Sequence, residues 1–181
     1  MENYKKHKWF YTSNKVLVVG GKNAENNDDL IKGLKNSGKD YWIMHTSHPG
    51  SPFSAVISDK PSKEDIEEAA IFTGCFSKAW KLGMKDTEIH IFRLGQLKKS
   101  KGMKTGTWGV NGIVKKMKVK LKLFLIKQKG ILRAVPKGNG LEVCPGKTDK
   151  IKMADKIIKA LNRKYDKEEV IAALPAGGVK I

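Results

Sequence analysis

Residues 18–28 read VVGGKNAENND, a stretch that joins the end of a β-rich run to the start of a helix. The valines favour a strand, and the glycine pair at positions 20 and 21 ends it. The asparagines behind the glycines are good helix N-caps, and acidic residues suit the first turn of a helix. We therefore predict a helix over residues 28–34 that is capped by Asn26 or Asn27. The glycine turn before it would offer backbone amides to an anion.

Alternation and helical spacing predict the elements on either side of this stretch. Residues 8–13 and 16–19 predict a hairpin that places Trp9 and Phe10 on opposite sides of a strand. Apolar positions from Ile66 to Trp80, with Ser62 as cap and Gly83 as stop, predict one long helix. Further strands are predicted at residues 41–44, 53–57, 87–93, 108–114, 117–123, 131–135 and 141–144.

The C-terminal part of the chain predicts short strands followed by an amphipathic helix. Residues 117–123 alternate strictly, which puts the lysines on one face and the apolar residues on the other. A helix capped by Thr148 follows, and residues 166–174 add a further turn or two. The stretch Pro-Ala-Gly-Gly at 175–178 predicts a frayed tail. The inward positions of the C-terminal helix are predicted to be Ile151, Ala154, Ile158 and Leu161.

Strands and helices are mixed rather than regularly alternating, which predicts an α+β fold. We expect a mostly antiparallel twisted sheet with one long packing helix and a C-terminal amphipathic helix. Residues 1–146 are expected to form a nucleic-acid-binding domain with extra C-terminal strands. Residues 147–181 are expected to form a C-terminal helical extension packed on the same domain.

The charge of the chain is large and unevenly placed. Lys and Arg number 36 against 18 Asp and Glu, a formal net charge of +18. No acidic residue occurs in the 53 positions from Ile89 to Leu141, which hold 14 basic residues and leave the remainder with a net charge of only +4. A localised excess of this kind favours a polyphosphate or an anionic surface as partner. A lysine-rich solvated surface that only aids solubility is the alternative.

The composition disfavours several classes of protein. No apolar run approaches the roughly 20 residues of a membrane span, and the first residues do not resemble a signal peptide. Cys75 and Cys144 lie far apart without a metal-ligand spacing, which is typical of small buried residues in a reducing cytosol. His45 and His48 lack a third ligand, and no arrangement of residues indicates catalysis. We therefore expect a cytoplasmic protein that is not an enzyme and binds no metal, cofactor or membrane.

Three segments carry the side chains that we expect to contact a nucleic acid. Lys22 and Asn23 would hold a phosphate at a helix start, unless the glycine turn is a plain strand end. The loop at residues 45–51, with two histidines and a Pro-Gly-Ser turn, offers polar contacts to phosphate or 2′-OH. Trp108 lies where a lysine-rich loop enters a strand and is a stacking candidate. The full predicted set comprises Lys22, Asn23, Asn26, His45, His48, Gly50, Ser51, Lys78, Lys98, Lys99, Lys101, Lys104, Trp108, Lys115 and Lys116.

Ordered motifs between residues 8 and 114 resemble a known family. Trp9-Phe10-Tyr11-Thr12-Ser13 precedes Gly21-Lys22-Asn23-Ala24, and a helical stretch with Glu-Ala-Ala at 68–70 and Ser-Lys-Ala-Trp at 77–80 follows. Gln96-Leu97-Lys98-Lys99 comes next, with glycines at 102 and 106. Together these motifs resemble the NFACT-R domain, the RNA-binding module of the NEMF/FbpA family of ribosome quality-control proteins.

The resemblance implies a stand-alone NFACT-R protein that is not catalytic. It implies contact with tRNA or rRNA in translation or ribosome-associated quality control, and the ribosome itself is a further expected partner. One departure is Pro-Gly-Ser-Pro at residues 49–52, where the family often has Pro-Gly-Ser-His. DNA binding through the same basic surface is the alternative. A nuclease is a third hypothesis, but the basic region lacks a carboxylate–metal cluster.

Overall fold

The structure, a computed structural model, describes residues 1–112 and 114–181. The helices are α1 Ala24–Asn36, α2 Lys63–Cys75, α3 Lys78–Lys81, α4 Lys150–Ala160 and α5 Lys167–Ala173, with 3-10 turns at Tyr4–Lys6 and Leu94–Gln96. The strands are β1 Lys8–Tyr11, β2 Leu17–Gly20, β3 Trp42–Thr46, β4 Ser54–Ile57, β5 Asp86–Arg93, β6 Leu97–Lys98, β7 Gly109–Val110, β8 Lys115–Lys120, β9 Leu123–Gln128, β10 Ile131–Val135, β11 Leu141–Asp149 and β12 Gly178–Lys180. The strands of the described residues pair in antiparallel fashion, which confirms the predicted α+β class. No described helix has the length and apolar character needed to cross a membrane.

A six-stranded sheet in the order β1-β2-β4-β3-β5-β8 has a hydrophobic cluster on each face. Successive residues of a strand point to opposite faces, so the neighbours Trp9 and Phe10 are buried in different clusters, as predicted. The cluster of Phe10 includes Phe72 of α2, and that of Trp9 includes Leu30 of α1. The two helices therefore cover opposite faces of the sheet.

A second sheet, in the order β10-β9-β11-β12, extends the core on the α2 face. Leu125 of β9 lies in the same cluster as Phe10, so the C-terminal module, residues 123–181, is packed on the first sheet. Gln128 exchanges two hydrogen bonds of 2.8 Å with the Tyr11 backbone and fixes the module to β1. The single strand predicted over residues 117–123 is wrong in extent, because β8 ends at Lys120 and β9 begins at Leu123. The predicted alternation of exposed lysines and buried apolar residues across this passage is confirmed. Its apolar positions Val119, Leu121 and Leu123 are all buried.

Helix α1 begins earlier than predicted. Its N-cap is Asn23, whose side chain accepts a hydrogen bond of 2.9 Å from the Asn26 amide. The prediction of Asn26 or Asn27 as cap is therefore wrong, and both residues lie in the first turn. Composition alone did not distinguish three neighbouring asparagines. The Asn27 side chain serves a tertiary contact, since its Oδ1 accepts a bond of 3.1 Å from the Phe53 amide.

The predicted long helix is divided into two. α2 ends at Cys75, and Ser77 caps α3 by accepting a hydrogen bond of 3.1 Å from the Ala79 amide. The Ser77 hydroxyl also donates to the Gly74 carbonyl at 2.7 Å, so one side chain both ends α2 and begins α3. The apolar spacing continues across the break and does not detect it. The predicted stop at Gly83 is confirmed, with φ of +71°.

The strand predicted over residues 108–114 is wrong in extent. Gly109 and Val110 pair with Leu97 and Lys98 in a short separate ribbon. Gly112 has a φ of +86°, which is incompatible with a continuous extended strand. Residue 113 lies outside the described residues.

The start of α4 differs from the prediction by one residue. β11 continues through a bulge between Pro145 and Thr148, and Asp149 rather than Thr148 is the cap. Its carboxylate accepts a hydrogen bond of 2.8 Å from the Ile151 amide. The expected inward position of Ile151 is also wrong, because this side chain is 54% exposed. The buried residues of α4 are Met153, Ala154 and Ile157.

Residues 175–178 do not form the predicted frayed tail. They return the chain to the sheet, where β12 pairs with β11. Val179 is fully buried, and the Trp80 indole donates a hydrogen bond of 3.0 Å to the Gly178 carbonyl. Gly146 and Gly178 approach so closely that a Cβ on Gly178 would lie 2.0 Å from the Gly146 carbonyl oxygen. The small residues there serve strand contact rather than flexibility.

Candidate nucleic-acid interface

A cleft of about 570 Å³ opens where segments from four parts of the sequence meet. Its walls come from the glycine turn and the start of α1, the β3–β4 loop, the end of α2, and residues 105–110. Lys8 of β1 and His90 of β5 also line it. The cleft unites two of the predicted segments with the tryptophan of the third. The predicted site residues that line it are Lys22, Asn23, His45, His48, Gly50, Ser51 and Trp108.

The glycine turn is held by tertiary contacts. The Gly21 amide donates to the Phe53 carbonyl at 3.1 Å, and a Cβ on Gly21 would lie only 1.8 Å from the Asn27 Oδ1. The Lys22 amide donates to the Asn26 side chain at 3.0 Å. Both amides are thus occupied within the protein, and Gly21 is needed for space. The exposed side chain of Lys22 is the group that this turn offers to an anion.

Asn26 connects α1 to the N-terminal 3-10 turn. Its Oδ1 lies 2.8 Å from His7 Nδ1, and its Nδ2 donates to the Lys6 carbonyl at 3.4 Å. Burial lowers the pKa of His7. Because both ends of the Asn26 side chain are engaged, we assign it a positioning role.

The β3–β4 loop is fixed by its own hydrogen bonds and by α3. The Ser51 hydroxyl accepts from the Thr46 amide at 3.0 Å, and the Thr46 hydroxyl donates to the His48 carbonyl at 2.6 Å. Gly50 has a φ of +98°, and its carbonyl accepts a bond of 2.8 Å from the Lys78 amide. Lys78 therefore supports the loop through its backbone, while its side chain and that of His48 remain exposed.

His45 presents a hydrogen-bond acceptor at the cleft. Its Nδ1 lies 2.7 Å from the Thr46 carbonyl, which can only accept, so the proton is assigned to Nδ1 and Nε2 carries the lone pair. Burial lowers the pKa of His45, and the nearby His90 adds to this effect. The ring packs on Phe53 with 4.7 Å between centroids. Among the described residues, no group of three or more His, Cys, Asp or Glu side chains could hold a metal ion.

The basic loop, residues 98–108, is tied to α1 by Asp28. The carboxylate of this buried residue accepts hydrogen bonds from Trp108 Nε1 at 2.8 Å and from Lys99 Nζ at 3.2 Å. Lys99 Nζ also donates to the carbonyls of Lys104 and Thr107, each at 2.8 Å. Burial alone would raise the pKa of Asp28, but hydrogen bonds from the backbone of the loop, Trp108 and Lys99 outweigh it and lower this pKa.

The lysines of the basic loop therefore divide into two kinds. The ammonium of Lys99 is bound by Asp28 and two loop carbonyls. It also lies 5.5 Å from the ring centroid of the half-buried Trp108, and the Nζ atom of Lys35 lies 5.8 Å from the same centroid. The side chains of the other three lysines are exposed to solvent. These three are Lys98, Lys101 and Lys104.

Strand β8 carries two further predicted residues, Lys115 and Lys116, on opposite faces of the sheet. Lys116 lies opposite His90, and His90 lies opposite His45, so these three residues form a row on one face of the sheet. Lys115 points to the other face, and both lysines are exposed. Lys116 Nζ is 3.9 Å from the Glu88 carboxylate, a loose pair at the surface.

Folding neutralises part of the acid-free stretch. Five of its basic residues form ion pairs with carboxylates from other segments or from β5. The pairs are Arg93–Asp40, Lys99–Asp28, Lys116–Glu88, Lys118–Asp86 and Lys122–Glu142. Outside these pairs, Lys98, Lys101 and Lys104 remain exposed in the basic loop beside the cleft, and Lys115 remains exposed on the face of the sheet opposite to His45 and His90.

Lys8 is a cleft residue that the sequence analysis missed. It is half-buried, its Nζ lies 4.7 Å from the Phe76 ring centroid, and no carboxylate of the described residues lies within 4.0 Å of it. Burial, together with repulsion from Lys150, Arg133 and Lys22, lowers the pKa of Lys8 to about 8. Lys150 and Arg133 belong to the C-terminal module. The surroundings of Lys8 depend on that long-range packing, so no local sequence signal marks it.

The fold is similar to that of a solved structure. The C-terminal part of the fibronectin/fibrinogen-binding protein of Streptococcus suis superposes with a TM-score of 0.57 at 22% sequence identity. The similarity covers 64% of this chain and 45% of that chain. It shows that the arrangement of strands and helices occurs in another protein.

Sequence comparison points to a family and to a curated relative. The archaeal Rqc2 homolog aRqcH of Methanocaldococcus jannaschii is 28% identical over 198 aligned positions, which cover 98% of this chain. The chain spans 29% of the length of that relative. The family model for the NFACT protein RNA binding domain matches residues 6–112, which include the glycine turn, the β3–β4 loop and the basic loop. The chain therefore belongs to the family of NFACT protein RNA-binding domains.

Proposed function

We propose that this protein binds RNA through the cleft and the basic loop beside it, without catalysing a reaction. The observation that carries the proposal is the attachment of the basic loop to the rim of the cleft by Asp28, which holds three exposed lysines beside a polar concave site. Electrostatic contacts to phosphate supply much of the affinity in nucleic-acid complexes. The family and the archaeal Rqc2 homologue support RNA as the nucleic acid.

Two kinds of residue have distinct roles in this proposal. Lys22, Lys98, Lys101, Lys104 and Lys115 would neutralise phosphates, because their side chains are exposed. Asn26, Gly50, Ser51, Lys78 and Lys99 would position the loops, since their side chains or backbones are engaged inside the protein. Asn23, as the cap of α1, positions the helix start. His48 and Trp108 would add contacts in the cleft that they line, and Lys116 would add one from the position opposite His90.

The finer proposal is that the RNA is tRNA or rRNA and that the protein acts in the cytoplasm, in translation or ribosome-associated quality control. The name of the archaeal relative places that protein with Rqc2. RNA sequence is recognised mainly in unpaired loops, bulges and ends, where bases are accessible to a cleft. Direct readout of the base sequence of B-form DNA instead relies mainly on an element that enters the major groove.

The experiment compares binding of labelled tRNA, rRNA fragments and duplex DNA by the wild type and two triple variants. In the first variant, Lys98, Lys101 and Lys104 are replaced by alanine. In the control, Lys152, Lys156 and Lys159 of α4 are replaced by alanine, which removes the same charge from exposed residues of the C-terminal module. We expect the first variant to lose far more RNA affinity than the control. Equal losses, or tighter binding of duplex DNA than of RNA, would contradict the proposal.

A further inference from the structure

The size and lining of the cleft fit a smaller unit than an RNA helix. Its volume of about 570 Å³ is that of a small-molecule site, for which about 300–1,000 Å³ is usual. A duplex cannot enter such a cleft, but one nucleotide can. The ring side chains that line it are Phe53, Phe76, Phe92, Trp108 and three histidines. Aromatic rings beside polar groups are the surroundings that an unstacked base requires.

Two lysines supply positive charge to the cleft from different sides. Lys22 is exposed at the glycine turn, and Lys8 is half-buried beside the Phe76 ring. Lys8 has no carboxylate partner among the described residues, and its other charged neighbours are all cations. A partly desolvated ammonium without a counter-ion is unfavourable, so an anion between Lys8 and Lys22 would stabilise the site.

The remaining polar groups suit the edge of a base or a ribose. His45 Nε2 can accept a hydrogen bond, because Nδ1 is committed to the Thr46 carbonyl at 2.7 Å. His90 lies opposite His45 on the neighbouring strand and also lines the cleft, with its Nε2 at 3.2 Å from the Glu88 carboxylate, so Nδ1 is its second hydrogen-bonding atom. A site with a cationic part, ring side chains and hydrogen-bonding imidazoles matches the three parts of a nucleotide.

We propose that the cleft holds one nucleotide of an RNA strand, taken out of the helical stack, with its phosphate between Lys8 and Lys22 and its base beside His45 and Phe76. This inference rests on the proposed RNA-binding function and specifies which RNA structure it recognises. The basic loop would contact the flanking backbone, whereas the cleft would select an unpaired position. Paired RNA would then bind through the basic loop alone and more weakly.

The test uses three RNA hairpins with the same stem: one fully paired, one with a single bulged adenosine, and one with an abasic bulge. The abasic bulge keeps the phosphate and the flexibility of the strand but lacks the base. We expect the adenosine bulge to bind about 5- to 150-fold more tightly than the abasic bulge, the range that base–aromatic stacking provides. Equal affinities for the two bulged hairpins would overturn the proposal.

Variants separate the cleft from the basic loop. Lys8→Met removes the charge and keeps the aliphatic stem, and Lys22→Gln makes the same test at an exposed position, where substitutions usually change stability little. We expect both to reduce the preference for the adenosine bulge over the paired hairpin. The control Lys98→Met should weaken all three hairpins equally. If Lys22→Gln and correctly folded Lys8→Met both keep the wild-type preference for the adenosine bulge over the paired hairpin, the phosphate assignment is refuted. If the wild type binds none of the hairpins, the proposed function itself is refuted.

Discussion

The indole of Trp108 donates a hydrogen bond of 2.8 Å to the carboxylate of Asp28, although the two residues are 80 positions apart in the sequence. The same carboxylate holds Lys99 at 3.2 Å, so the basic loop is fastened to the first turns of α1. One acidic residue thereby orders a loop of positive charge. If RNA binds as proposed, Asp28 has two opposite effects on it: its charge would repel phosphate, and its hydrogen bonds would place the lysines that attract phosphate.

Replacement of Asp28 by alanine should therefore weaken RNA binding, although it removes a negative charge. It should also lower the free energy of unfolding by about 1–3 kcal/mol, because the half-buried partners Lys99 and Trp108 lose their acceptor. Urea denaturation and tRNA titration measure the two effects. The control is Asp29→Ala, the same change at the next, exposed position. This control should leave stability nearly unchanged and strengthen RNA binding slightly. If Asp28→Ala behaves in the same way, the position of the basic loop does not depend on Asp28.

The acid-free stretch could be predicted from the sequence, but its electrostatics could not. Lys99, Lys118 and Lys122 occur among basic neighbours and look equally available for phosphate. Each of them finds a carboxylate that lies far away in sequence or on an adjacent strand. Charge segregation along the chain therefore overstates the free charge on the surface. The unpaired lysines alone still favour a nucleic-acid partner. Which lysines contact that partner, however, can be decided only once the paired ones are known from the structure.

The strands of the first sheet were predictable because each has a local signal, such as the alternation that separates Trp9 from Phe10. Errors occurred where a polar side chain had several local options, as at Asn23 and Ser77, and tertiary contacts decided among them. The cleft could be predicted only in part. Its loops carry motifs, but Lys8 becomes a site residue only through the packing of the C-terminal module.

Because the pKa of Lys8 is lowered in the folded protein, we expect RNA affinity and the stability of the fold to change in opposite directions with pH. Its pKa is about 8 in the folded protein, against 10.5 in an unfolded chain. An anion binds the protonated form, so RNA affinity should fall as the pH rises through about 8, between about pH 7 and pH 9. Between the two pKa values, the unfolded chain holds more protons than the folded protein. The free energy of unfolding should therefore increase as the pH rises from about 8 to about 10.5.

Both slopes are measured against Lys8→Met, at constant ionic strength. The variant should show a flatter pH profile of RNA affinity between about pH 7 and pH 9. Its thermal stability should also lose the gain between about pH 8 and pH 10.5 that the wild type shows. Identical profiles for the wild type and the variant would mean that Lys8 is solvated like an ordinary surface lysine.

Gly21 predicts a steric effect on stability. A Cβ at this position would collide with the Asn27 side chain, whose Oδ1 accepts the Phe53 amide, so Gly21→Ala should destabilise the fold by about 1–3 kcal/mol. Gly33 on the exposed side of α1 is the matched control, since no atom lies within 4 Å of its Cβ position. Gly33→Ala should stabilise the protein by about 0.4–1 kcal/mol. Chemical denaturation of both variants decides whether space or chain flexibility is the reason for the glycine.

The C-terminal strand predicts that a short truncation is costly. A chain that stops after Ala176 loses the fully buried Val179 and leaves the Trp80 indole without its acceptor. Burial of one such aliphatic side chain contributes about 1.5–3 kcal/mol, so the melting temperature should fall clearly. Removal of Ile181 alone, which is 51% exposed, should change it little. A truncated chain that melts like the wild type would show that β12 contributes nothing to stability.

The last prediction concerns the dependence of RNA affinity on salt. If Lys22, Lys98, Lys101, Lys104 and Lys115 contact about five phosphates, the logarithm of the association constant should fall with the logarithm of salt concentration with a slope of about −3.5 to −4.5. Replacement of Lys98, Lys101 and Lys104 by alanine should make the slope shallower by about 2 to 3, because each lost phosphate contact contributes about 0.7–0.9. Replacement of Lys99 alone should change the slope much less than replacement of any one of the exposed lysines, because the Lys99 ammonium is bound to Asp28 and two carbonyls. Titrations of tRNA at several salt concentrations measure all three slopes, and a wild-type slope near zero would refute the electrostatic part of the binding mechanism.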